Sequence, residues 1–97
     1  MKFEWDDAKN RTNIRKHGID FNDVPELFTH PILTMPDDRG DYDEARWISI
    51  GMLLGIVGVV VYTERAGPVI RIISARRATR REARKYAETI ENELGTS

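Results

Sequence analysis

The sequence predicts an α+β domain with helices packed on one face of a curved antiparallel sheet, in the order β-α-α-β-β-β-β-α. Three observations predict it. Short runs rich in β-branched residues crowd into positions 46–75 with only brief connections between them. A polar stretch ahead of them is bracketed by Asp6-Asp7 and Gly18, the start and stop signals of a helix. Behind them, Thr79-Arg80-Arg81-Glu82 forms a capping box that opens an amphipathic run. A length of 97 residues is that of one small domain, expected to span 1–97.

The elements follow in order. Residues 2–5 alternate polar and apolar, as in a short first strand. Asp6 or Asp7 then caps a helix of unusual polarity, whose apolar content is little more than Ala8 and Ile14. Lys9, Asn13, Lys16 and His17 fall at i, i+4, i+7 and i+8 and share one of its faces. A helix this polar needs support from outside, because propensity alone rarely holds a short helix. Asn22 is expected to cap a second helix with Pro25 as its third residue, where no intrahelical bond is lost. Val24, Leu27 and Phe28 supply its buried side, and Pro31 ends it. Residues 32–35 make a strand stopped by Pro36, and 37–44 hold five acids and one Arg, expected as a solvated loop.

Residues 46–52 alternate, with Ile48, Ile50 and Met52 on one face and Trp47 and Ser49 on the other. Leu54-Gly55 marks a turn. Residues 56–63 are nearly all apolar, as in a central strand covered on both faces. The turn 65–68 leads to a last strand over 69–75. The final helix runs to about Asn92 or Glu93, with Ala83, Tyr86, Ala87, Ile90 and Leu94 as its apolar stripe.

Composition narrows the function classes. The chain has 15 Lys+Arg, 16 Asp+Glu, two His and no Cys, for a net charge of −1. Without cysteine there is neither a disulfide framework nor a thiolate metal site. The longest apolar run falls well short of the roughly 20 residues that span a bilayer, and the acidic start does not read as a signal peptide, so a cytoplasmic domain is expected. The near-zero net charge hides a strong segregation. Arg71, Arg76, Arg77, Arg80, Arg81, Arg84 and Lys85 stand against one acid, Glu82, in a 15-residue window of charge +6. The compensating acids sit in the 37–44 loop and in Glu88, Glu91 and Glu93.

This placement is locally unfavourable. Arg80 and Arg81 occupy a first helical turn, where the macrodipole favours anions. Arg80–Arg84 and Arg81–Lys85 are like-charge i, i+4 pairs costing roughly 0.2–0.5 kcal/mol each. An anionic ligand reverses the sign of these terms, and helix N–H groups with Arg76, Arg77 and Arg80 suit a phosphate. The plainer reading is a solvated basic face with salt bridges such as Arg84–Glu88. Arg71, among apolar neighbours, needs either a carboxylate partner, Glu64 or Glu26, or a ligand. His17 is either a C-terminal cap beside Gly18 or a general acid or base near neutral pH. His30 reads as a loop residue, and two isolated His make no metal site. Trp5, Trp47, Tyr62 and Tyr86 read as core.

The motifs Phe3-Glu4-Trp5-Asp6-Asp7-Ala8-Lys9, Asn13, Lys16-His17-Gly18, Phe21, Val61-Tyr62-Thr63-Glu64-Arg65 and Arg71-Ile72-Ile73-Ser74-Ala75-Arg76-Arg77-Ala78-Thr79-Arg80-Arg81-Glu82 together resemble the BrnT toxins of BrnT/BrnA type II toxin–antitoxin pairs. The resemblance covers 3–86 and implies a RelE-like fold. It also implies a ribonuclease that arrests translation, neutralised by a BrnA-type antitoxin whose DNA-binding part represses the shared operon. By position it points to Lys9, Asn13, Lys16, His17, Arg71, Arg76, Thr79 and Arg80. The stretch 53–58, more apolar than expected around a hairpin, and Pro25 depart from the pattern without touching the basic residues.

The expected activity is a metal-independent endoribonuclease needing no cofactor. Arg76, Arg80 and Arg71 are assigned to the phosphate and His17 to proton transfer. Lys9, Lys16, Arg77, Arg81 and Thr79 are assigned to RNA binding. Two alternatives use the same patch: a non-catalytic nucleic-acid-binding module, and an interaction protein whose basic helix docks an acidic partner. Expected partners are the antitoxin and RNA, with operator DNA engaged only through the antitoxin.

Overall fold

A computed structural model describes residues 1–95, with the side chains of Leu94 and Gly95 outside the description. The elements are β1 (Lys2–Glu4), α1 (Asp7–His17), a 3-10 helix η1 (Phe21–Thr29), β2 (Leu33–Pro36), β3 (Trp47–Leu53), β4 (Ile56–Arg65), β5 (Val69–Arg77) and α2 (Arg80–Gly95). The predicted order holds. No helix among the described residues is long and apolar enough to cross a membrane.

The sheet corrects the first expectation. Its strand order is β1-β5-β4-β3-β2, and β2 to β5 form an antiparallel meander. β1, however, lies parallel to β5, with Glu4 opposite Arg71, so the sheet is mixed. Pro36 does not stop β2 but ends it inside the ladder, opposite Trp47. β2 is an edge strand, where a missing N–H is tolerated.

The helices also divide between two faces rather than sharing one. Ile19, Phe21, Val24 and Leu27 pack with Leu53, Val60, Tyr62, Ile70, Ile72 and Ala75 on the face covered by η1. Ile50, Val59 and Tyr86, bordered by Leu33, Met35, Ile48, Met52 and Ile90, form a smaller core under α2 on the opposite face. The cause lies in β4, where Val57 and Val59 face one apolar layer and Val60 and Tyr62 the other, and each layer needs a cover. Of the predicted α2 stripe, Tyr86 is buried and donates its hydroxyl to the Pro31 carbonyl at 2.7 Å, but Ala87 is exposed. Leu94's place on that stripe lies outside the described side chains.

α1 starts as predicted, with the Asp6 carboxylate accepting from the Lys9 N–H at 3.1 Å. That bond holds the Asp6 carboxyl below the usual range. It ends at Gly18, left-handed at φ 71°, whose N–H reaches the Ile14 carbonyl at 2.8 Å. Ile14 is 40% exposed, so apolar packing does not dock this helix. Two buried asparagines do. Asn10 accepts from the Phe21 N–H at 2.8 Å and donates to Asp20 at 3.0 Å, tying α1 to the turn before η1. Asn13 donates to the Ala75 carbonyl at 2.8 Å and accepts from the Ala75 N–H at 3.1 Å.

Asp20, not Asn22, caps η1: its carboxylate accepts from the Asn22 N–H at 2.9 Å. The segment therefore begins two residues earlier than expected, and Pro25 sits within it rather than in its first turn. The acidic loop is less solvated than predicted at its start. The Asp37 side chain is fully covered and takes two bonds from Arg39, at 2.7 and 2.9 Å, which hold its carboxyl below the usual range.

Two features yield measurable consequences. Leu54 and Gly55 form a two-residue turn with φ 53° and 74°, the backbone of a type I′ hairpin, which favours Asn-Gly. A branched apolar side chain in that conformation costs about 1–2 kcal/mol, and this one is half exposed. Leu54→Asn should stabilise the fold by about 1 kcal/mol, raising Tm by about 4–8 °C in thermal denaturation.

The capping box at α2 is formed: the Thr79 N–H donates to Glu82 at 2.8 Å, and the Glu82 N–H donates to the Thr79 hydroxyl at 3.2 Å. Glu82 also takes both branches of the Arg76 guanidinium, at 2.8 and 2.9 Å, and its carboxyl falls from 4.5 to about 2. A depressed carboxylate stabilises the fold above its unfolded pKa, and the contribution is lost as pH falls through the folded value. The pair is about a third exposed (34% and 29%), which scales it down. Glu82→Gln should therefore cost about 1–2 kcal/mol at pH 7 in urea denaturation. The gap to the parent should close as pH falls from about 4.5 towards about 2.

Candidate active site

β1 pairs with β5 only as far as Arg71. Beyond it the outer edge of β5 is free of strands, and α1 lies along it. A β-bulge at Val61/Tyr62 shifts the register so that Val61 faces Ser74 while Tyr62 faces Ile72, leaving Ile73 as the extra residue. Ile73 and Ser74 then form one wall of a groove of about 320 Å³, whose other wall is the face of α1 that carries Lys9, Thr12, Asn13, Lys16 and His17. The predicted clustering of Lys9, Asn13, Lys16 and His17 on one helix face is thus observed, and that face looks onto the β5 edge. Asn13 is buried at the bottom, whereas Lys9, Lys16 and His17 are exposed. The Gly18 N–H, rather than the His17 ring, closes the helix end.

A second groove, of about 240 Å³, lies where the β3–β4 turn meets the start of α2. Gly55, Ile56 and Val57 line it together with Arg77, Thr79 and Arg80. Arg77 and Arg80 are exposed there, and Arg81 is exposed on the first turn of α2.

Arg71 and Arg76, also singled out in the sequence, line neither groove. Arg71 donates to Glu4 at 2.6 Å, side by side across the parallel β1/β5 ladder. Its partner is neither Glu64 nor Glu26. Glu26 instead accepts from the Leu54 N–H at 2.9 Å and faces His30 at 3.7 Å. Arg76 is held by Glu82, whose carboxylate keeps the guanidinium firmly protonated against the opposing effect of partial burial. The like-charged first turn of α2 is offset in part by this carboxylate. Among the described residues no Arg84–Glu88 ion pair forms, and no group of three or more potential ligands is arranged to hold a metal ion.

The site residues therefore divide. Lys9, Lys16 and His17 share one groove, Arg77, Thr79 and Arg80 share the other, and Arg71 and Arg76 are engaged with carboxylates. Sequence reasoning missed Thr12 and the Ile73–Ser74 wall of the groove, and, outside it, the docking role of Asn10. One signal for Asn10 was present: a helix with almost no apolar residues that still packs must dock through buried polar groups, and Asn10 and Asn13 are its short amides. Nothing in the sequence marks the bulge.

In comparisons with known proteins, the family described as ribonuclease toxin, BrnT, of type II toxin–antitoxin system matches residues 5–82. Among solved structures, the chain is similar to the crystal structure of the Brucella abortus ribonuclease toxin BrnT. The match has a TM-score of 0.62 and 29% sequence identity, and covers 82% of this chain and 99% of that one. A search of curated proteins found no match. The matched span runs from Trp5 through both grooves to Glu82. The chain belongs to the BrnT family of ribonuclease toxins of type II toxin–antitoxin systems.

Proposed function

We propose that the protein is a metal-independent endoribonuclease with a RelE-like fold, and that its reaction takes place in the groove between α1 and β5. The observation that carries this reading is the alignment of Lys9, Lys16 and His17 along that groove, opposite Ile73 and Ser74 of β5. RNA cleavage without a metal uses the 2′-hydroxyl as nucleophile. Its oxygen attacks the adjacent phosphorus, a pentacoordinate phosphorane forms, and the 5′-oxygen leaves, giving a 2′,3′-cyclic phosphate. The step needs a base, an acid and positive charge near the equatorial oxygens.

His17 takes the proton of the 2′-hydroxyl as base and, once protonated, returns it to the departing 5′-oxygen as acid, and Lys9 and Lys16 supply the charge. Arg77, Arg80 and Thr79, on the second groove, hold the phosphates of the flanking strand, with Arg81 beside them. Arg71 and Arg76, assigned to the phosphate from the sequence, reach it only by exchanging Glu4 and Glu82 for RNA. In the resting protein each is held by its carboxylate. The antitoxin is a BrnA-type protein that covers this basic surface, and the toxin arrests translation in the cytoplasm when released.

Purified protein should cleave RNA in EDTA. Intact RNA beside an active control would sink the metal-free reaction and leave the binding-module reading. His17→Ala should lower kcat by about 10²-fold or more. Arg80→Ala should chiefly raise KM and flatten the salt dependence of binding by about one counterion. If both variants cleave like the parent, the site is misassigned. Growth arrest on expression, relieved by co-expressing a neighbouring antitoxin gene, should separate the toxin from a pure interaction protein.

A further inference from the structure

We infer that Asn13 is a positioning residue for the groove: its carboxamide takes the place of a missing strand on the β5 edge and so sets where Lys9, Lys16 and His17 stand. The inference rests on the ribonuclease reading above. A peptide group on a neighbouring strand would offer Ala75 one donor and one acceptor. Asn13 offers both, donating to the Ala75 carbonyl at 2.8 Å and accepting from its N–H at 3.1 Å. Its second amide hydrogen reaches the Ile19 carbonyl at 2.9 Å, just beyond the helix end. The side chain is 5% exposed and spends its hydrogen bonds inside the protein, which rules out contact with RNA as its main task.

Nothing else in α1 sets its rotation against β5 so strictly. The helix carries little apolar surface, and Ile14 is largely exposed. Residues three and four apart stack on one helix face, so Lys9, Lys16 and His17 stand directly above and below Asn13. A turn or slide of α1 that breaks the Ala75 bonds swings all three side chains away from Ile73 and Ser74. Asn10 provides a matched control. It is buried in the same helix, at 8% exposure, and makes comparable bonds, but to Asp20 and the Phe21 N–H rather than to β5.

The test compares Asn13→Ala with Asn10→Ala at a temperature where both are folded. Asn13→Ala should lower kcat for RNA by about tenfold or more, with KM within about threefold, because displacement of reacting groups acts on the chemical step. Asn10→Ala should stay near the parent kcat. NMR gives a readout independent of cleavage. In Asn13→Ala the Ala75 amide should lose its protection from hydrogen exchange and the chemical shifts of the Ile73 and Ser74 amides should move as the α1 wall is displaced, whereas Asn10→Ala should leave both in place. If Asn13→Ala does not fold, Asn13→Ser replaces it with the same expectations. Losses of kcat that merely track stability in both variants, or unmoved Ile73 and Ser74 amide shifts in the Asn13 variant, would overturn the assignment. A parent that cleaves no RNA counts against the ribonuclease reading instead, and the NMR comparison still decides whether Asn13 sets the groove.

Discussion

The pairing of one side-chain amide with one backbone position, Asn13 with Ala75, connects the two halves of this molecule. An unpaired strand edge is unfavourable when buried, because each N–H and C=O must find a partner. β1 satisfies the β5 edge only up to Arg71, and a helix cannot continue a ladder with its own backbone. The asparagine resolves this by presenting a peptide-like group from its side chain. It thereby brings a cationic helix face against a strand edge and creates the groove between them. Asn10 performs the corresponding task on the other side of α1, holding the turn that leads into η1.

Much of the architecture was legible because it is written in local signals. The Asp6 and Gly18 brackets, the Thr79–Glu82 capping box and the alternation along β3 each act within a few residues, and each is found where the pattern puts it. What failed to show was non-local. The parallel placement of β1 depends on a partner more than sixty residues away, and with it went the identity of the Arg71 partner, Glu4. The division of the helices between two faces was implied by the unbroken apolar run of β4, which cannot be covered by one layer. The assumption of a single helical layer conflicted with that run. The cap of η1 went to Asp20 because its carboxylate is better placed than Asn22 to take the first free N–H, a competition of neighbours that composition does not rank.

The charge pattern needs the same spatial reading. The basic window was visible as a sum, but the sum treats its members as equivalent. In the structure Arg71 and Arg76 are each matched by a carboxylate, while Arg77, Arg80 and Arg81 are exposed. Glu82 also serves the helix start, so one acid stabilises the capping box, the guanidinium and the first turn of α2 together. The site was therefore legible by residue type and by helix face, but not by which cations are already engaged.

The span between the two walls of the groove bears on how the chain is made. Lys9 to His17 leave the ribosome early, yet the wall they face, Ile73 and Ser74, and the anchor at Ala75 emerge some sixty residues later. α1 has too little apolar surface to dock on its own, and β1 has no neighbour until β5 arrives. Closing so long a loop is among the last events in assembling such a topology. The groove thus comes into being only once β5 has been synthesised, and a product that stops short of β5 carries Lys9 and Lys16 without the site.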